Sequence, residues 1–104
     1  MTFKLRFVQR FKQSNRNDFL DLEKKFIMLE RLTSDFPKAK RYIPLMGKEA
    51  TNTLIWEAEF TSLAEAISAL NIIESNPQHD TFFNEQSQFM LDAYTEIYQL
   101  FDIP

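Results

Sequence analysis

Cysteine is absent from the 104 residues, and glycine and histidine occur once each. Without Cys there is no disulfide, thiol nucleophile, thiolate zinc site or cysteine-ligated iron–sulfur cluster. One glycine excludes a glycine-rich phosphate loop. No stretch approaches the roughly 20 apolar residues that a membrane span needs. The N-terminal MTFKLRFVQRF interleaves charge with apolar residues, so it lacks the apolar run of a signal peptide. The expected setting is therefore the cytoplasm. Neither sign of charge dominates: twelve Lys and Arg face fifteen Asp and Glu, a formal net charge of −3. That balance argues against nonspecific nucleic-acid binding, which rests on phosphate neutralisation.

Phenylalanine is abundant, at eleven residues, and the chain is 44% apolar. Its length suits one domain spanning residues 1–104, with enough apolar surface for a core. Residues 3–11 alternate: Phe3, Leu5, Phe7 and Phe11 fall on one side, and Lys4, Arg6, Val8 and Arg10 on the other. Period two predicts a strand with one buried face. Capping residues from Ser14 to Asn17 precede Phe19, Leu22, Phe26, Leu29 and Leu32, the stripe of an amphipathic helix. Asp18, Asp21, Glu23, Lys24, Lys25 and Arg31 lie mostly off that stripe, and Ser34-Asp35-Phe36-Pro37 ends the helix.

Residues 39–46 are expected to form a strand that, with Pro44 inside it, is an edge or carries a bulge. Residues 53–60 alternate clearly, with Leu54, Trp56, Ala58 and Phe60 opposite Ile55, Glu57 and Glu59. Ser62-Leu63-Ala64-Glu65 is a capping box opening a second helix. Asn76-Pro77 then caps a further helix carrying Phe82, Phe83, Phe89 and Met90. A last strand is expected over residues 94–103. The resulting fold class is α+β. The order is the ferredoxin-like βαββαβ arrangement, with a four-stranded antiparallel sheet and the helices on one face. The first and third strands should be central.

In several motifs the chain resembles a known family. Asn52-Thr53-Leu54-Ile55-Trp56-Glu57 sets a strand Trp ahead of the Ser62-Leu63-Ala64 helix start, and Asn76-Pro77 leads to Phe82-Phe83. These features are similar to the NIPSNAP-type branch of the dimeric α/β-barrel proteins. The resemblance implies a homodimer closed through the open sheet faces, often around a cavity. It implies no activity, since many such proteins have none assigned. Haem-degrading relatives of the fold use a His, a Trp and an Asn. Those roles are not carried over, because His79 precedes Phe82 and the first strand has no Asn.

The candidate site residues follow from the sheet's two faces. Arg6, Arg10, Glu57 and Glu59 share the open face, where opposite charges on adjacent strands can pair. Arg6, mid-strand, should pair with a glutamate. Arg10, near the end, should remain free for a small anionic ligand. Tyr98 of the last strand joins this face, and an aromatic ligand is the alternative. Val8 and Ile55 there supply apolar surface for a homodimer. His79 is the catalytic candidate: an isolated His in a first helical turn is usually an exposed polar group, and its other role is as a proton carrier with Asp80 or a nearby Glu. One His and no Cys give no metal site, and no cofactor is expected. The RNA-recognition module shares the strand–helix order, but its stacking aromatics would here face the helices. The expected function is small-molecule binding or a structural role. The alternative is a cofactor-independent monooxygenase- or isomerase-like enzyme working in the barrel cavity.

Overall fold

A computed structural model describes residues 1–102. The chain runs β1 (Phe3–Phe11), a 3-10 turn (Gln13–Asn15), α1 (Arg16–Leu32), β2 (Lys40–Tyr42), β3 (Thr53–Phe60), α2 (Leu63–Ser75), α3 (Pro77–Ser87) and β4 (Met90–Gln99). The four strands form one sheet in the order β2-β3-β1-β4. Every neighbouring pair is antiparallel. This is the expected ferredoxin-like α+β topology, with β1 and β3 central and β2 at an edge. Among the described residues, no helix is long and apolar enough to cross a membrane.

Alternation fixes the register between the central strands. Leu5 faces Ala58 and Phe7 faces Trp56, while Arg6 faces Glu57 and Val8 faces Ile55. Slipping by one residue would turn the charged set into the core. The helix-side residues Leu5, Trp56 and Ala58 pack with Phe36 and Ile73. A second cluster joins Phe11 and Leu54 to Phe19 of α1.

The helix starts are set locally. Ser62 Oγ accepts the Glu65 N–H at 3.1 Å. The Glu65 carboxylate reaches back to the N–H and hydroxyl of Thr61, one residue earlier than in the usual reciprocal box. Asn76 Oδ1 accepts the His79 N–H at 2.9 Å, and Pro77 occupies the first turn of α3. At α1 the expected cap is absent: Asn15 makes no side-chain cap bond and instead donates to Asp18.

Two strand boundaries differ from expectation. β4 begins at Met90, where helical spacing had continued through Phe89 and Met90. Phe89 N–H closes a turn onto Gln86 O, and Lys12 N–H donates to Phe89 O, so pairing with β1 takes over from helical periodicity. The expected end at Ile103 lies outside the described residues, and Phe101 is 91% exposed. β2 holds three residues, not the stretch 39–46, and pairing stops before Pro44. Gly47 in the following turn has φ of +142°, a conformation that L side chains rarely adopt.

Candidate functional site: a cavity between the helices and the sheet

The sheet separates the sequence-predicted site residues into two groups. On the open face, Arg6 Nε lies 3.0 Å from Glu57 Oε1 and its Nη1 lies 3.7 Å from Glu96 Oε1. Its guanidinium also bonds the Tyr98 hydroxyl and sits 5.3 Å over that ring. Burial opposes the Arg6 charge, but the Tyr98 bond and the Glu57 and Glu96 carboxylates outweigh it and raise the pKa. The Arg6–Glu57 pair between the first and third strands is therefore formed. Lys4 adds a second contact to Glu57 at 3.5 Å. Glu59 is exposed and in no ion pair among the described residues.

Arg10 is not free. It makes a bidentate pair with Asp92, Nε to Oδ1 at 3.1 Å and Nη2 to Oδ2 at 2.8 Å. Arg10 opposes Asp92 across the β1–β4 pairing, a contact hidden as long as β4 was expected to start at Tyr94. Val8 and Ile55 are already buried within the single chain, at 2% and 8% exposure. Tyr94 pairs with Val8 and its hydroxyl donates to Glu49, so the segment after β2 reaches over this row of the sheet. That bond, with burial and the negative charge of Glu49 adding to it, holds the Tyr94 phenol at about 12. The exposed aromatic surface of this face is Tyr42, Tyr94 and Tyr98.

His79 lies on the other side of the sheet, so it does not converge with Arg6, Arg10 or Tyr98. It lines an open-sided cavity of about 360 Å³ bounded by residues of all four strands and all three helices. The lining is mostly apolar, including Phe7, Phe26, Phe36, Trp56, Leu70, Ile73 and Phe83. Phe7 and Trp56 stack with ring centroids 4.4 Å apart. The His79 ring is half-buried, not exposed as an isolated histidine was expected to be. It packs 5.0 Å from Phe26 and 6.3 Å from Phe83, and its Nδ1 is buried without a hydrogen-bond partner. Burial lowers its pKa, more than the carboxylates of Asp80, Glu74 and Glu30 raise it.

A buried ionic network forms one wall. Arg41 comes from β2, opposite Trp56 in the pairing. Its Nη1 and Nη2 donate to the two oxygens of Glu30 at 3.0 and 2.9 Å, while its Nε donates to Glu23. Trp56 Nε1 donates to Glu30 Oε1 at 2.8 Å. Gln86, fully buried, donates to Glu23 Oε1 at 2.9 Å and leaves its own Oε1 without a partner. Burial works against the Arg41 charge, but Glu30 and Glu23 outweigh it and push its pKa up. Sequence reasoning missed this network. Glu23 and Glu30 are buried, on the same side of α1 as Phe19 and Phe26. Their spacing of seven residues, in phase with those phenylalanines, was the available signal. Among the described residues, no group of three or more His, Asp or Glu side chains could hold a metal ion.

No protein-family model matches the sequence. No curated protein matches it significantly. Solved structures do match. A NIPSNAP family protein from Agrobacterium tumefaciens superposes with a TM-score of 0.77 at 12% identity, over 99% of this chain and 89% of that one. An uncharacterised NIPSNAP-like domain protein from Burkholderia xenovorans gives 0.76 at 10% identity, over 99% and 88%. An antibiotic biosynthesis monooxygenase gives 0.72 at 10% identity, over 96% and 99%. The chain thus has the ferredoxin-like fold that NIPSNAP family proteins share with antibiotic biosynthesis monooxygenases.

Proposed function

We propose that this protein is a cytoplasmic small-molecule binder that takes its ligand into the helix–sheet cavity and works as a homodimer. The carrying observation is the cavity: a space of about 360 Å³, walled by aromatic and aliphatic side chains with a few fixed polar groups. Ligand sites have this makeup, and their volumes run from roughly 300 to 1,000 Å³. The dimer reading draws support from the three exposed tyrosines on the open sheet face. Such an interface should bury on the order of 1,500 Å² in total. Sedimentation showing only a 12.4 kDa species at micromolar concentration would exclude it.

Trp56 is the only tryptophan and lines the cavity, so its fluorescence reports occupancy. A neutral apolar probe, 1-naphthylmethanol, should change that emission saturably. Filling the space with Leu70→Phe should abolish the change while the fold stays intact by circular dichroism. An unsaturable response, or an equal response in the filled variant, refutes the reading. One observation favours a cofactor-independent enzyme: His79 meets the cavity with an unpartnered Nδ1. Such an enzyme would lose turnover in His79→Gln with ligand affinity retained.

A further inference from the structure

The charge around the cavity narrows the class of ligand. Its wall carries four carboxylates, Glu23, Glu30, Glu74 and Asp80, against the single guanidinium of Arg41. With His79 neutral, the formal charge of the lining is −3. Arg41 is held by both inner carboxylates. Among the described residues, no free cation therefore lines the cavity for a carboxylate or phosphate ligand to meet.

The inner carboxylates are occupied as well, by Arg41, Trp56 and Gln86. The outer pair differs. Glu74, near the end of α2, and Asp80, in the first turn of α3, are exposed at the rim. Neither side chain has an ion-pair or hydrogen-bond partner among the described residues. Between rim and wall sits His79, whose buried Nδ1 has no partner. Burial favours its neutral form, so the ring offers a lone pair and does not cancel the carboxylate charge. Aromatic rings complete the lining, and the face of such a ring attracts a cation, more so where water is excluded. A metal ion does not fit this set, because no three ligating side chains come together among the described residues.

We propose that the cavity binds a small organic ammonium: an apolar or aromatic amine with its hydrocarbon part against Trp56 and Phe7, and its N–H groups toward His79, Glu74 and Asp80. The proposal rests on the cavity being the binding site, and it adds the sign of the ligand's charge. Three physical effects act together. Carboxylates accept charge-assisted hydrogen bonds from an ammonium group. The rings contribute cation–π attraction. A cleft lined by one sign of charge with apolar walls focuses the field on an incoming counter-ion.

The test is isothermal calorimetry on the full chain, at pH 7.5 and low salt, with three probes sharing one ring system. They are 1-naphthylmethylamine, 1-naphthylmethanol and 1-naphthoate. The amine should bind about tenfold or more tighter than the alcohol, since roughly 1.4 kcal/mol of added attraction is tenfold. The naphthoate should bind more weakly than either. In Glu74→Gln/Asp80→Asn the ratio of amine to alcohol affinity should fall toward one. Naphthoate binding as tightly as the amine overturns the ammonium inference and leaves the cavity reading standing. An amine preference that survives in the double variant overturns the assignment to this rim. Failure of all three probes to bind overturns both.

Discussion

Replacing Arg41 with methionine removes the one cation between two buried carboxylates. Glu23 and Glu30 are 6% and 8% exposed, so neither can recover full hydration. Arg41 supplies three of the hydrogen bonds they accept. Breaking a buried ion pair by removing one partner costs roughly 3–5 kcal/mol, because the remaining charge stays desolvated. For Arg41→Met the loss should be about 4 kcal/mol. That is a large part of the roughly 5–15 kcal/mol that holds a domain folded. At about 4–8 °C per kcal/mol, Tm should fall by roughly 15 °C or more. Arg41→Lys keeps the charge but loses the planar fork, and should fall between wild type and methionine. Adding Glu30→Gln to Arg41→Met should recover part of the loss, since one stranded charge is removed. Urea unfolding followed by Trp56 emission measures all four proteins, because the indole is bonded to Glu30 inside the same network. A loss below about 1 kcal/mol for Arg41→Met would show pairs screened by water, as on an ordinary surface, and would refute the buried network.

Three further outcomes follow from the same contacts. Asn76→Ala removes the acceptor for the His79 N–H and should cost about 1 kcal/mol in urea unfolding, with Asn76→Gly costing less. His79 carries a pH dependence whose sign comes from burial, which lowers its pKa against Asp80, Glu74 and Glu30. The unfolded chain then takes up the proton first, so stability should fall as pH drops below about 6.5, and His79→Phe should remove that part of the slope. Arg10→Ala, at the exposed pair with Asp92, should leave Tm unchanged within error; a clear drop would mean that this end of the face is covered.

The central strands were legible because burial on the helix-covered face imposes a period of two, which β3 carries throughout and β1 carries except at Gln9. Pro44 marked the edge, and Asn76-Pro77 marked a helix start, through local chemistry that needs no tertiary partner. The start of β4 was not legible. Phe89 and Met90 satisfy helical spacing, and only pairing with β1, some eighty residues earlier in the chain, turns Met90 into strand. The cavity wall was hidden for a related reason. A glutamate on a helix is ordinarily solvated, and Glu23 and Glu30 become interior only because Arg41 arrives from a strand eighteen and eleven residues away. The setting of His79 depends on Phe26 of α1, a packing partner that no spacing within α3 announces. Arg6 was readable on the open face because its partner Glu57 lies directly across the β1–β3 register.

The most direct test of the cavity as the binding site is a nuclear magnetic resonance titration of the full chain with 1-naphthylmethylamine. The single indole Nε1–H of Trp56 and the ring of His79 are separate reporters within the cavity, and Arg6 and Tyr98 report on the opposite sheet face. Saturable shifts of Trp56 and His79 with one common affinity, and none at Arg6 or Tyr98, are the predicted result. Shifts confined to Arg6 and Tyr98, with Trp56 silent, would place binding on the open face and contradict the account.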